Sequence, residues 1–424
     1  MSTAPESLDL RSVVFALSEA LDLVGVNDLH HGKRVGVMAA EVARVLGWDT
    51  QDCDRMFDAG LLHDCGVSST YIHRRLVQEL DWEGADEHCR TGAELLAGCA
   101  PLADLAPLVR WHHTHWTELP ARLDDPQAAL QANLVYLVDR ADVLAAPYLG
   151  DNALLLHAKD VRARLAAQAA AMFEPTLVEA FLEASRHGAF WLQLEPRAIA
   201  SYLAAMRRRR VPVPATRATL QSVAMLFSRV VDAKSRFTTE HSAGVARVAC
   251  LLAAAAGLPA ERIDRLEIAA LLHDIGKLRI PDDILDKSGA LSDEERQVMA
   301  SHSFESWQIL RNIAGFEDIA AWASFHHEEP EGGGYPFGIA GTALPWEARI
   351  LRVADVFQAM IQDRPYRPPV APRAVCDHLA QLARDGRVDP AALALLERNL
   401  DRAAALAQAG AAAPDRPPPG GPGV

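Results

Sequence analysis

At 424 residues the chain exceeds what one hydrophobic core usually organises, so two or three domains are expected. Half of its residues are hydrophobic, and 42 Lys and Arg stand against 56 Asp and Glu for a net charge of -14. That balance argues against broad nucleic-acid binding, so no DNA or RNA partner is expected, and a small anionic ligand would need a local basic pocket.

Helical periodicity dominates from the start. Val35, Met38, Val42 and Val45 share one helix face, and Gly47 breaks it. The run RRRRVPVPATRAT, residues 207–219, mixes charge with spaced prolines and reads as an extended linker between a domain over 1–206 and one over 220–402. Its four arginines read as a solvated helix end. Val245, Val248 and Leu252 form the next apolar face, with breaks at Gly257 to Pro259 and at Pro281. Ser292 followed by Glu295 is a capping-box start. Residues 403–424 are rich in Ala, Pro and Gly and read as a disordered tail. Strand signals are few, so the fold class is all-α. The stretch Val245 to Pro259, interrupted by Arg247, is too short to cross a bilayer, and no membrane partner is expected. Cys53, Cys65, Cys89, Cys99, Cys250 and Cys376 form no CxxC pair, and no secretory leader pattern opens the chain, which points to reduced thiols and a cytoplasmic protein.

The two halves repeat one ordered set of residues. His31 pairs with His241, and His63 and Asp64 with His273 and Asp274, all at an offset of 210. His88 pairs with His302, and His112 and His113 with His326 and His327, at 214, and Asp142 pairs with Asp355 at 213. LLHDCG matches LLHDIG, and RADVL matches VADVF. This is the signature of a duplicated domain. A single histidine on a helix is more often structural than a ligand, but an ordered series of imidazoles and carboxylates is a donor set that suits Mn(II), Fe or Zn.

His241, HDIGK from His273 to Lys277, His302, HHE from His326 to Glu328, GYP from Gly334 to Pro336 and DVFQAMIQDRPYR from Asp355 to Arg367 make the second half resemble an HD-GYP domain, over about residues 223–398. The resemblance implies an all-helical, metal-dependent phosphodiesterase that opens cyclic di-GMP. It implies metal ligation by His241, His273, Asp274, His302, His326, His327 and Asp355, with Asp274 bridging, and substrate contact by Lys277, Tyr335, Arg364 and Arg367; Asp274 and Lys277 are the catalytic pair. Members with a third metal carry Glu four residues before the first ligand histidine; Phe237 stands there, so two divalent ions, Fe or Mn, are expected. Two such ions polarise a phosphate and acidify water, while lysine and arginine neutralise phosphate oxygens. Tyr335 reads either as a wall against a base or as simple loop packing, and the two arginines as phosphate contacts or a solvated pair.

The first half resembles the wider HD phosphohydrolase superfamily. A metal there would be held by His31, His63, Asp64, His88, His112, His113 and Asp142. Val67 replaces Lys277, THWTELPARL replaces the GYP segment, and Asp151 and Leu154 stand for the two arginines. Three readings stay open: a metal-loaded regulatory or dimerisation domain, a second hydrolase, or a packing relic. For the whole chain, cyclic di-GMP hydrolysis comes first, with cyclic GMP-AMP hydrolysis or a non-catalytic cyclic dinucleotide sensor as alternatives and a mononucleotide phosphohydrolase behind them. A homodimer or a signalling partner is compatible with each.

Overall fold

A computed structural model describes residues 7–24, 30–67, 69, 72–73, 75–76, 83–149, 153–234, 241–363 and 368–409. Among them the chain is helical, apart from two three-residue strands, Ser7–Asp9 and Pro212–Pro214, paired antiparallel with Leu8 opposite Val213. The all-α expectation holds. The segment 207–219 is extended only in part, because its prolines supply this strand and a helix, Arg217–Lys234, already starts inside it. Arg207 to Arg210 are exposed, as expected of a solvated helix end, and Arg207 and Arg209 also reach Glu19 at 3.2 Å and Asp54 at 2.7 Å.

The chain divides into two compact units. One comprises 1–236 with 274–321, the other 237–273 with 322–424. The first therefore holds both sides of the 207–219 segment and a piece of the second repeat.

In the first unit His31–Val45 packs along Thr50–Leu62, and both meet Pro126–Ala145. Val35, Met38 and Val42 are fully buried there, each contributing roughly 1.5–3 kcal/mol, whereas Val45, placed on the same face by the periodicity, is 45% exposed at the end of the helix. Asp125 caps the Pro126–Ala145 helix by accepting from the amides of Gln127 and Ala128, and nearly the whole helix is buried. The piece 274–321 joins this unit through specific bonds. Lys234 donates to the Leu278 carbonyl, Asn312 reaches Glu19 at 3.3 Å, and the Leu10–Asp22 helix packs on Asp293–Leu310. Ser292 and Glu295 form the expected capping box at the start of Asp293–Leu310.

In the second unit His241–Ala255 packs against Ala260–Leu272, Trp346–Ile361 and Leu400–Gln408. The break between the first two falls at Gly257, with φ 74°, a left-handed residue that glycine adopts without penalty. The first residues of the segment whose composition reads as a disordered tail are helical. Leu400–Gln408 is a helix, held as Arg247 donates to the Leu406 carbonyl and Gln358 to that of Ala407, with Ala403 and Ala407 buried. Small side chains let it lie close to its neighbours. Residues 410–424 lie outside the described residues.

The turn after each HD pair is tight. A Cβ on Gly66 would collide with the His88 carbonyl oxygen, and one on Gly276 with that of His302. Gly66→Ala should therefore cost about 3 kcal/mol, the upper end for overpacking, whereas Gly289→Ala, with open space around it, should change stability by less than about 0.5 kcal/mol; thermal unfolding of both variants checks this.

Candidate metal centres

In the first copy every candidate histidine sits at a helix end or on a buried face. His31 opens its helix, His63 ends Thr50–Leu62, His88 lies in Asp86–Ala97, and His112 and His113 follow Ala106–Trp111. The Asp64 carboxylate joins them. Its Oδ2 lies 3.7 Å from His31 Nε2 and 3.4 Å from His63 Nε2, while Oδ1 lies 3.3 Å from His88 Nε2 and 3.9 Å from His112 Nε2. One oxygen thus faces each pair of imidazoles, the arrangement of a bridging carboxylate.

Backbone acceptors settle which ring nitrogens point inward. His63 Nδ1 donates to the Gly60 carbonyl at 2.8 Å and His112 Nδ1 to that of Val109 at 2.7 Å, so their neutral rings present Nε2 lone pairs. His31 Nδ1 donates to Asp142 Oδ2 at 2.7 Å, which turns its Nε2 toward the cluster. These residues fit a metal centre. Burial pushes the His63 imidazole down to about 4, which keeps it neutral at ordinary pH. Against its burial, His63, His88 and His31 hold Asp64 well below the usual carboxylate range.

The carboxylate that faces the cluster beside Asp64 is Asp139, one helical turn before Asp142. Asp139 Oδ1 lies 3.3 Å from His31 Nε2 and its Oδ2 lies 3.6 Å from His113 Nε2. Asp142, which the repeat offset singled out, stands behind His31, with Arg34 gripping both its oxygens at 2.6 and 2.7 Å. It orients the ring. The cations near the cluster are likewise committed: Arg34 to Asp142, and Arg140 to Asp139 at 2.7 Å. Val67, in place of a lysine, is buried and apolar.

The candidate ligands of the second copy fall in both compact units, whose division runs between His273 and Asp274. In one unit, His241 Nε2 lies 3.1 Å and His273 Nε2 3.8 Å from Asp355 Oδ1, and the three form a ligand cluster. His273 Nδ1 donates to the Ala270 carbonyl at 2.7 Å and His326 Nδ1 to that of Ala323 at 2.6 Å, the device of the first copy again. Burial opposes ionisation of Asp355, but the His241 bond and the nearby His273 and His326 rings hold it below the usual carboxylate range. His327 packs on His326, with centroids 4.0 Å apart, and Tyr335 stacks on His327 at 4.8 Å. In the other unit, Lys277 Nζ lies 2.6 Å from Asp274 Oδ2 and His302 Nε2 3.5 Å from Asp274 Oδ1. His302 Nδ1 donates to the Met299 carbonyl at 2.7 Å. Arg364, Arg367, Phe237 and Asp151 lie outside the described residues.

The loop carrying Tyr335 is anchored by a residue quoted in its motif but given no role by sequence reasoning. Glu328 is buried and accepts from the amides of Phe337 at 2.7 Å and Ile339 at 2.9 Å. Gly334 lies so close to the backbone of Glu328 and Glu329 that a Cβ would collide with it. The helix face i, i+3 was the signal available for Asp139; Glu328 had only its place after two histidines. Glu328→Ala leaves two amides without their acceptor, and hydrogen exchange at Phe337 and Ile339 should accelerate by about 10- to 100-fold, matching a local loss of about 1–3 kcal/mol; mass-resolved exchange reads this directly.

HD domain families match this chain twice, over residues 28–146 and 225–392. The 3'3'-cGAMP-specific phosphodiesterase 1 of Vibrio cholerae serotype O1 is 35% identical over 401 residues, covering 93% of this chain and 92% of the relative. The cyclic di-GMP phosphodiesterase response regulator RpfG of Xanthomonas campestris is 38% identical over 143 residues, 33% of this chain and 38% of its own. The crystal structure of a cyclic GMP-AMP specific phosphodiesterase of V. cholerae has the same fold, with a TM-score of 0.63 over 93% of this chain and 98% of that one, at 22% identity. The chain is a tandem HD-domain hydrolase. It belongs to the HD-GYP-type family of cyclic dinucleotide phosphodiesterases.

Proposed function

We propose that the second copy hydrolyses 3'3'-cyclic GMP-AMP in bacterial second-messenger signalling. Sequence reasoning placed cyclic di-GMP first and this substrate as the alternative. What carries the change is length of match: the V. cholerae relative that is similar across both copies is 3'3'-cGAMP-specific, whereas the Xanthomonas cyclic di-GMP enzyme is similar over 33% of the chain.

In this reading 220–402 is the catalytic domain, and His241, His273, Asp274, His302, His326, His327 and Asp355 hold two divalent ions, Fe or Mn. When bound, such ions supply Lewis acidity toward the phosphate and make water acidic enough to attack near neutral pH. The chain's own contribution is orientation and charge. The carbonyls of Ala270, Met299 and Ala323 fix three imidazoles with Nε2 forward. Lys277 neutralises a phosphate oxygen, a role for which its contact with Asp274 keeps the ammonium at hand. Arg364 and Arg367 add planar donors, and Tyr335, already braced by His327, offers its ring to a base. The first copy, over 1–206, is a non-hydrolytic regulatory domain in this reading, because Val67 stands where the second copy has Lys277. Six free cysteines, and no helix among the described residues long and apolar enough to cross a membrane, support a cytoplasmic setting.

Side-by-side hydrolysis of cyclic GMP-AMP and cyclic di-GMP by the purified full chain tests the proposal. Cyclic GMP-AMP should turn over faster, chelation should abolish turnover, and Mn(II) or anaerobic Fe(II) should restore it. His273→Ala and Asp274→Ala should fall to background. Faster cyclic di-GMP cleavage would reverse the substrate preference, and tight binding without cleavage would favour the sensor. Lys277→Ala should lower kcat/KM by about 10- to 100-fold, the worth of one charge-assisted hydrogen bond of about 1.5–3 kcal/mol.

A further inference from the structure

We propose that Cys89 is a metal ligand: with His88, His112 and Asp64 it makes a tetrahedral, thiolate-containing site in the first copy, suited to zinc or ferrous iron. The inference does not rest on the substrate or activity proposed for the second copy. Cys89, His88 and His112 are all buried, and one ligand atom from each lies within 4.8 Å of the others. The separations fit one small ion. Zinc bonds of about 2.0–2.1 Å to nitrogen and about 2.3 Å to sulfur require tetrahedral edges of about 3.3 Å between nitrogens and about 3.6 Å between nitrogen and sulfur. His88 Nε2 lies 3.3 Å from His112 Nε2 and 3.7 Å from Cys89 Sγ. Asp64 Oδ1, 3.3 Å from His88 Nε2 and 3.9 Å from His112 Nε2, is the fourth donor.

The bonds around the cluster leave these atoms available. His112 Nδ1 is committed to the Val109 carbonyl, so Nε2 is its coordinating atom. Cys89 Sγ lies 3.6 Å from that ring, at its Nδ1 edge. Cys65, the other buried thiol of this region, points to the Gly92 carbonyl at 3.7 Å. The second copy differs at this position. There the residue after the histidine is Ser303, whose Oγ lies 3.2 Å from His302 Nε2. A hydroxyl is a poor ligand for a soft ion and a thiolate is a good one, so the duplication separates the metal preferences of the two copies.

The test is cobalt and X-ray absorption spectroscopy on the full chain. Cobalt(II)-loaded protein should show a thiolate-to-cobalt charge-transfer band in the near ultraviolet, lost in Cys89→Ser and kept in Cys65→Ser. X-ray absorption of zinc-loaded wild-type chain should show a sulfur neighbour at about 2.3 Å, a readout that needs no variant to fold. Absence of the band and of the sulfur shell overturns the proposal, and so does a band that survives Cys89→Ser.

Discussion

The hydrogen bond from a histidine Nδ1 to the carbonyl three residues earlier is the interaction on which both centres depend. It recurs at His63, His112, His273, His302 and His326. At His63, His112, His273 and His326 the acceptor is one of the carbonyls that a helix end leaves without intrahelical partners, whereas His302 makes the same bond in mid-helix; in each case the bond fixes the ring's tautomer. One bond therefore caps backbone and aims a lone pair. His31 shows the alternative solution, a carboxylate held by an arginine in place of the carbonyl.

Once the lone pairs are aimed, the copies differ by what surrounds them. In the first, positive charge is spent within the site: Arg34 and Arg140 are paired with Asp142 and Asp139, and burying such pairs is tolerable only because each is closed. In the second, Lys277 is paired with Asp274 at 2.6 Å and stays partly exposed. The copies thus differ in the side chains that neutralise their carboxylates. Fold alone would not have separated them.

The segment 274–321 shows how the duplication was consolidated. It belongs to the second repeat by sequence, yet it is compact with the first, through Lys234 at the Leu278 carbonyl and Asn312 at Glu19. Asp274, Lys277 and His302 are carried by that segment, so their footing includes residues of the first copy.

Several things were legible in the sequence alone. The constant offsets established the duplication, the helical period established the fold class, and the ordered histidines and carboxylates established the kind of site, because ligand type and order are properties of the chain. Tertiary structure decided the rest. Asp139 and Asp142 lie on one helix face, and only packing shows that Arg34 takes the latter and leaves the former to the cluster. Cys89 read as one more reduced thiol until two imidazoles stood beside it. Glu328 became a loop anchor only when the amides of Phe337 and Ile339 folded back onto it. In each case the sequence names the functional group, while its partner comes from an element distant along the chain or from a loop whose path the residue pattern does not set.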